Sequence, residues 1–293
     1  MIAGVDSNKV LPCNNDPEAV KQVQPAIDLL KNLDKQHPEI LNKHGLIPRD
    51  YHPKLVFRSA VESIRGTYIA SSVTKRQDMI ATTLEAMRQK GLIVDYKRTA
   101  GKQRYDFEVV SRTKPKIMCA IEVKGGEGNS INISERPIWA DEFILWCHLD
   151  GAIVNQPYHG AEAIIFNRVA TEMVKRKKHV DAIVFRDVTC NTALRVCPKY
   201  AGKEPPTELG VAPDIFLLPK DVPTEQNPNP PPHDLKTTQL PAKILVAYGV
   251  KPKDFDNHLW QVSIALEHND KRTVRVTSVF HKGKLILERR SSR

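Results

Sequence analysis

Two adjacent strand patterns between Arg104 and Gly125 constrain the fold more than any other stretch of the chain. Residues Arg104 to Val110 alternate between polar and apolar, and Ile117 to Val123 are almost wholly apolar until Glu122 and Lys124 interrupt the run. Such runs, ended by a glycine pair and joined by a short polar turn, are typical of neighbouring β-strands. The sequence therefore predicts a β-hairpin with charged residues at the end of its second strand.

The charged residues at this strand end need partners. Side chains two apart on a strand share a face, so Glu122 and Lys124 point the same way. If the hairpin turns near Lys114, Asp106 lies opposite Glu122 with the Cβ atoms about 5 Å apart. Two facing carboxylates repel each other, and a divalent cation between them removes the repulsion. The pattern therefore predicts a metal site at this end of the hairpin.

The arrangement of Asp106 followed by the tripeptide from Glu122 to Lys124 resembles the PD-(D/E)XK nuclease family, the fold of most type II restriction endonucleases. The resemblance covers about Phe57 to Asp187. It implies that Asp106 and Glu122 hold Mg²⁺ and that Lys124 activates the attacking water. The aspartate of the family often follows a proline, whereas Asp106 follows a tyrosine, in a position that varies within the family.

The same resemblance implies the activity, the cofactor and the partners. It implies a Mg²⁺-dependent type II restriction endonuclease that hydrolyses double-stranded DNA at a specific sequence and acts as a homodimer. A repair or recombination nuclease of the same fold is the alternative. In the family a helix before the first strand sometimes contributes another acid, and Glu85 is the first candidate here, ahead of Glu62.

The chain contains two other tripeptides with an acid two residues before a lysine. The one that begins at Asp234 lies beside a run of prolines, where no central strand can form. The one that begins at Asp95 lies on a predicted strand, Leu92 to Tyr96, and is the serious competitor. The apolar strand before Glu122, the glycine pair after it and the upstream acid Asp106 favour the Glu122 tripeptide.

Two polar segments carry donors for nucleic acid. The basic turn after the strand Leu92 to Tyr96 and the loop that follows Lys124 could reach phosphates or base edges. Helix, strand, basic turn and return strand are also the order of a winged helix-turn-helix. A non-catalytic winged-helix DNA-binding regulator is therefore the rival interpretation. The predicted DNA-binding residues are Arg98, Lys102, Arg104, Asn129, Ser130, Asn132 and Arg136.

The order of elements predicts an α/β fold with a restriction-endonuclease-like core, in which helices flank a mixed central sheet in the order αβββαβ. Periodicity and end signals define the individual elements. We predict helices near Lys75 to Lys90, Ile138 to Leu149 and His159 to Lys177, and strands at Leu92 to Tyr96, Gly151 to Asn155 and Asp181 to Arg186 in addition to the hairpin.

Composition divides the chain into four segments. Residues 1–53 form an N-terminal helical arm with one amphipathic helix, residues 54–201 form the core, and residues 202–241 form a proline-rich linker that holds no continuous ladder or helix. Residues 242–293 form a basic, β-rich extension that either closes over DNA or extends the central sheet. Its predicted strands are Ile244 to Tyr248, Trp260 to Leu266, Thr273 to Phe280 and Leu285 to Leu287.

Bulk composition agrees with a nucleic-acid partner. Lys and Arg number 44 against 34 Asp and Glu, a net charge of +10 that attracts polyanions. No apolar run approaches the length of about 18 residues that a membrane span needs, and no signal peptide begins the chain, so we expect a cytoplasmic protein. The five cysteines are expected to be reduced thiols, with zinc binding by Cys190 and Cys197 as the alternative.

Overall fold

The computed structural model describes residues 76–99, 103–125, 132–149, 161–187, 209–210, 212–269 and 272–292. In chain order its elements are helix α1 (Arg76–Gln89), strands β1 (Asp95–Arg98), β2 (Phe107–Thr113), β3 (Lys116–Gly125) and β4 (Glu142–Leu149), helix α2 (Ala161–Arg176), strands β5 (Ala182–Asp187) and β6 (Asp214–Leu217), helix α3 (Leu240–Ala247), a 3₁₀ turn at Pro252–Asn257, and strands β7 (Leu259–Asn269), β8 (Arg272–His281) and β9 (Lys284–Ser292). Within these ranges, no helix has the length and apolar character to cross a membrane.

All nine strands form one mixed sheet whose spatial order follows the chain order. Strands β1, β2 and β3 form an antiparallel meander, and β3, β4 and β5 run parallel. Strand β6 is antiparallel to β5 and parallel to β7, and two further antiparallel pairings add β8 and β9. The chain is thus an α/β protein with a mixed central sheet, as predicted.

The helices pack on both faces of the sheet and bury a core on each side. Apolar residues of α1 and α3 form one cluster with alternate residues of β2 to β6, including Leu84, Met87, Ile121, Trp146 and Ile244. Apolar residues of α2 form the other cluster with the opposite side chains of β3 to β8, including Phe143, Leu145, Val169, Met173 and Val262. The predicted helices near residues 75–90 and 159–177 are confirmed as α1 and α2, and α1 is followed by Gly91 at a φ of 68°.

Strand β4 replaces a predicted helix. The sequence pattern predicts a helix over Ile138 to Leu149, but Glu142–Leu149 pair with β3 and β5 as a strand. The prediction is wrong because a parallel strand in the sheet interior is buried on both faces and is therefore apolar at consecutive positions. Phe143 faces α2 and Ile144 faces α1, and both side chains are fully buried. Periodicity alone does not separate such a strand from a buried helix.

Helix α3 replaces a predicted strand. The sequence predicts a strand over Ile244 to Tyr248, whereas Leu240–Ala247 form a helix with a proline in its first turn. The carboxylate of Glu142 accepts the N–H groups of Gln239 at 2.7 Å and Leu240 at 3.0 Å, where the helix has no internal acceptors. The prediction is wrong because this start signal comes from β4, far away in sequence.

The proline-rich segment contributes a strand to the sheet interior, although its composition predicts no ladder. Strand β6 lies between β5 and β7 and is four residues long, with prolines close by at Pro213 and Pro219. The predicted strands at Trp260 to Leu266, Thr273 to Phe280 and Leu285 to Leu287 are confirmed within β7, β8 and β9. These strands extend the central sheet, which is one of the two arrangements considered above for the C-terminal segment.

The first predicted strand is shifted along the chain: β1 spans Asp95–Arg98 and not Leu92 to Tyr96.

Several other predictions concern residues that lie outside the described ranges. These are the helix of the N-terminal arm, Glu62, Lys102, Asn129, Ser130, the strand Gly151 to Asn155, Cys190 and Cys197.

Candidate active site at the ends of β2 and β3

Asp106 immediately precedes β2 and lies beside the end of β3, as the predicted register requires. Phe107 pairs with Ile121, and the backbone N–H of Asp106 donates to the carbonyl of Ile121 at 2.8 Å. Oδ2 of Asp106 accepts the N–H of Val123 at 2.7 Å. This side-chain bond continues the contact between the two strands past the start of β2. It holds the Asp106 carboxylate at the backbone next to Glu122.

Glu122 and Lys124 project from β3 on the face that α2 covers, and they contact each other. The ammonium nitrogen Nζ of Lys124 lies 2.6 Å from Oε1 of Glu122. Glu122 is only 6% exposed, so its charge depends on this partner. Ser134, from the connection between β3 and β4, donates through Oγ to Oε1 at 2.8 Å and through its N–H to Oε2 at 3.1 Å. The structure thus pairs Glu122 with Lys124, and it places the Asp106 carboxylate at the backbone of Val123 between them.

Gln77, in the first turn of α1, joins this group and was not predicted. Its side-chain amide donates to Oδ1 of Asp106. Its carbonyl oxygen accepts Nε–H of Arg98 at 2.8 Å. The sequence carries one signal for it, an amide at the start of the helix that precedes the hairpin, but a pattern made of acids does not include an amide. Gln77 positions Asp106 from outside the sheet.

Glu85, the acid predicted to complete the metal cluster, is not brought to the other residues of the predicted site. It lies about two helical turns from Gln77 and binds Arg88, with Nη2 of Arg88 3.0 Å from Oε1 of Glu85. The hydrogen bond from Arg88 is the main reason that the pKa of Glu85 lies below its ordinary value. Gln89 and Tyr96 donate to the same carboxylate. Glu85 therefore belongs to a surface network on α1.

The arginines predicted to bind DNA are paired with acids. Arg98 lies 2.7 Å from Asp78, Arg104 contacts Glu135, and Arg136 lies 3.1 Å from the buried Asp181. Arg136 also donates to the carbonyl oxygens of Ala140 and Asp141, so it fastens the β3–β4 connection to the start of β5. Asn132 is exposed at the start of the described part of that connection.

Cys147 lies next to Lys124, on the neighbouring strand β4. It is the register partner of Lys124 on β4 and is only 1% exposed. Burial raises the pKa of the Cys147 thiol to about 12, although the nearby Lys124 acts in the opposite direction. The thiol is therefore neutral and serves as a small core residue, which argues against a role in metal binding or nucleophilic catalysis.

A second polar cluster surrounds Asp181, which is 1% exposed. Nε2 of His233 lies 3.0 Å from Oδ1 of Asp181, and Nε2 of His179 lies 3.7 Å from the same oxygen. Oδ2 accepts the N–H of Phe143 at 2.6 Å. Burial acts to raise the pKa of Asp181, but His233 and Arg136 outweigh burial and hold that pKa below its ordinary value.

The donors of this second cluster fit an ion-pair network better than a metal site. Three of its groups, His179, Asp181 and His233, are close enough to share a cation. However, Nη1 of Arg136 lies 3.2 Å from Nδ1 of His179. Since a guanidinium only donates, Nδ1 must accept, and Nε2 of His179 then donates to the carbonyl of Pro219 at 3.2 Å. The guanidinium of Arg136 thus supplies the positive charge that a metal ion would otherwise supply.

No family model matches this chain, and neither a curated protein nor a solved structure matches it. We therefore infer function from the side chains described above.

Proposed function

We propose that this protein is a Mg²⁺-dependent nuclease that hydrolyses phosphodiester bonds in DNA at the site formed by Asp106, Glu122 and Lys124. One observation carries the proposal: the carboxylate of Asp106 binds the backbone N–H of Val123, and the side chains on either side of Val123, Glu122 and Lys124, contact each other. The resemblance to the PD-(D/E)XK nucleases, the mixed α/β sheet and the net charge of +10 support it.

The oxygen donors of the site suit magnesium. Mg²⁺ is held in nucleotide and nucleic-acid enzymes by one or two carboxylates, with waters and substrate phosphate completing the shell. Each carboxylate oxygen has two acceptor sites. Oδ1 of Asp106 accepts one donor, from Gln77, and Oδ2 accepts one, from Val123. One acceptor site on each oxygen of Asp106 therefore remains. Among the described contacts, Oε1 of Glu122 accepts both Lys124 and Ser134, and Oε2 accepts the N–H of Ser134, so Asp106 and Oε2 of Glu122 would hold the ion.

Different residues would have different roles in phosphodiester hydrolysis. The bound ion would polarise the phosphate and lower the pKa of its water ligand. Lys124 projects from β3 on the same face as Glu122, so its ammonium can orient the attacking water and stabilise the negative charge that grows on the phosphate. Ser134 holds both oxygens of Glu122, and Gln77 holds Asp106, so the acids keep their orientation when substrate arrives.

Cleavage of plasmid and oligonucleotide DNA, with Mg²⁺ and then with EDTA, tests the proposal. We expect cleavage only with the metal, and a loss of about a thousandfold or more in Asp106→Asn and Lys124→Met. Asp95→Asn and Lys97→Met are matched controls, because they alter the exposed competing tripeptide on β1 and should cleave normally. Circular dichroism should show that all four variants are folded. Normal cleavage by Asp106→Asn or Lys124→Met contradicts the assignment.

Two forms of this activity differ in substrate and assembly. Site-specific cleavage of duplex DNA by a homodimer is the form that the resemblance implies, because symmetric cutting of two strands uses two sites. A repair or recombination nuclease uses the same chemistry on other DNA structures. The non-catalytic winged-helix regulator predicts retarded but intact DNA in the same assay. Of its expected phosphate contacts, Arg98 and Arg104 are paired with acids in the structure, and Lys102 lies outside the described residues.

A further inference from the structure

An exposed apolar surface lies beside the candidate site. Among the described residues, the large apolar side chains that are most exposed include two consecutive ones in the β3–β4 connection, Ile138, which is fully exposed, and Trp139, which is 38% exposed. The same connection supplies Ser134 to Glu122. Exposed apolar side chains that cluster at a polar site mark a surface that binds another molecule.

Trp139 packs against Tyr105 while 38% of its surface stays exposed. The two rings are T-shaped, with centroids 5.2 Å apart and planes at 78°. The hydroxyl of Tyr105 donates to Oε1 of Glu108 at 2.9 Å, which holds the phenol in place. Burial and Glu108 raise the pKa of Tyr105, and the indole N–H of Trp139 opposes them, so the nitrogen edge of the indole faces the phenol. We call Tyr105, Ile138 and Trp139 the aromatic rim.

The aromatic rim adjoins the carboxylates in the chain and in space. Tyr105 immediately precedes Asp106, so their Cα atoms are about 3.8 Å apart. Glu108, which holds Tyr105, lies on the face of the sheet that carries Glu122, and Tyr105 packs against the core on that face. A planar group stacked on Trp139 would therefore lie on the same side of the sheet as Glu122 and Lys124.

The charges around the aromatic rim do not distinguish a duplex from a single strand. The three arginines described near it are paired with Asp78, Glu135 and Asp181. Cations that displace counterions strengthen the binding of both forms of DNA, so the aromatic rings carry the distinction here. In a duplex both faces of each base are covered by neighbouring bases, whereas an unpaired base can stack on an exposed aromatic ring. The aromatic rim therefore suits a base that has no partner strand.

We propose that the aromatic rim binds an unpaired base of the substrate strand, so that the nuclease acts on DNA with single-stranded regions, such as ends or flaps. Trp139 stacks on the base, Ile138 contacts its sugar or the next base, and Tyr105 supports the indole. This inference rests on the proposed function for the placement of the phosphate, and it favours a repair or recombination nuclease over cleavage of continuous duplex.

Binding measured in EDTA separates this inference from the nuclease proposal, because no cleavage occurs. The probes are a short fluorescently labelled oligothymidylate and a blunt hairpin duplex, followed by anisotropy. We expect the wild type to prefer the single strand and Trp139→Ala to bind it about tenfold more weakly, with unchanged binding to the duplex. Trp139→Phe keeps an aromatic face and should restore most of the affinity.

A matched pair of variants controls for surface hydrophobicity. Ile138→Ser should weaken binding of the oligothymidylate, whereas Ile286→Ser, which removes a 56% exposed isoleucine from β9, should leave it unchanged. Binding of the oligothymidylate should also quench the tryptophan fluorescence of the wild type but not of Trp139→Phe.

Each remaining outcome has a defined meaning. Equal binding of the single strand by the wild type and Trp139→Ala overturns the inference, as does preference of the wild type for the blunt duplex. A loss of self-association in Trp139→Ala, with DNA binding intact, assigns the surface to a second copy of the chain and also overturns it. Trp139-dependent binding without any metal-dependent cleavage would instead support the inference and contradict the nuclease proposal.

Discussion

The ammonium of Lys124 lies 2.6 Å from Oε1 of Glu122, and both side chains project from β3 towards the face that α2 covers. In this pair the lysine is 20% exposed and the glutamate 8%, so the contact is largely removed from water. Lys124 therefore supplies the positive charge that the buried carboxylate needs. A metal ion bound by Glu122 would take over this role and leave the ammonium to act on the substrate.

Removal of the lysine charge should destabilise the protein. Lys124→Met leaves the Glu122 carboxylate buried without a cation, and we expect the free energy of unfolding to fall by about 3 kcal/mol. Urea unfolding at neutral pH measures this change. The double variant Lys124→Met/Glu122→Gln should recover much of the loss because it removes both charges. Lys97→Met is the exposed control, and equal stability of Lys97→Met and Lys124→Met would contradict the assignment.

Gln77 should affect cleavage through the orientation of Asp106. In Gln77→Ala, Oδ1 of Asp106 loses its donor, and we expect cleavage to slow about tenfold or more, with a higher Mg²⁺ concentration needed for half-maximal rate. Gln89→Ala, on the same helix, is the control because Gln89 binds only Glu85 among the contacts described. Titration of Mg²⁺ in both variants measures the effect. An unchanged requirement for Mg²⁺ in Gln77→Ala would show that Gln77 does not position the ligand.

Asp181 should make stability depend on acid pH. Its pKa in the folded protein lies below the ordinary value of 3.8 for an aspartate, so the folded state favours the ionised form. The stability that this carboxylate contributes is present above pH 3.8 and is lost as the pH falls through the lower folded value. We expect Asp181→Asn to lower the free energy of unfolding by about 3 kcal/mol at neutral pH and by less in acid. Urea unfolding across this range is the measurement, and a constant difference would refute the linkage.

Glu142 should show the opposite pH dependence. Burial raises its pKa above the ordinary value of 4.5 for a glutamate, against the effect of the N–H groups of Gln239 and Leu240. Its contribution to stability is therefore greatest below pH 4.5 and is lost as the pH rises through the higher folded value. Relative to the wild type, Glu142→Gln should become more stable as the pH rises through this range. Differential scanning calorimetry at several pH values tests this, and a shift in the other direction would contradict it.

The buried cysteines should resist alkylation until the protein unfolds. Cys119 and Cys147 are almost completely buried, and burial raises the pKa of both thiols, to about 12 for Cys147. Because the thiolate is the reactive form, we expect iodoacetamide to modify neither residue in the native protein. Peptide mass spectrometry before and after addition of urea measures the labelling of Cys119 and Cys147 in each state. Rapid labelling of Cys147 in the native state would show that the core around β4, next to Lys124, opens.

The hairpin and its register follow from local sequence. Alternation in β2, the apolar run of β3 and the short turn between them leave one pairing that buries both apolar sets, and this pairing places Asp106 beside the end of β3. The amphipathic helices α1 and α2 were predictable for the same reason, since their apolar stripes have a period of their own. Strand β4 was not, because burial on both faces removes its alternation. Helix α3 was not, because its cap comes from Glu142 on β4 and its local signal is a single proline in the first turn.

The sequence by itself determined the hairpin that carries Asp106, Glu122 and Lys124, because its pairings join residues that are near one another in the chain. Tertiary structure alone decided what surrounds them. Gln77 reaches Asp106 across 29 residues, and Arg136 is drawn to Asp181 across 45. Such contacts depend on how helices and connections pack over the sheet, and no periodicity or spacing in the chain encodes them. The packing also placed Trp139 against Tyr105, the residue before Asp106, and left part of the indole exposed.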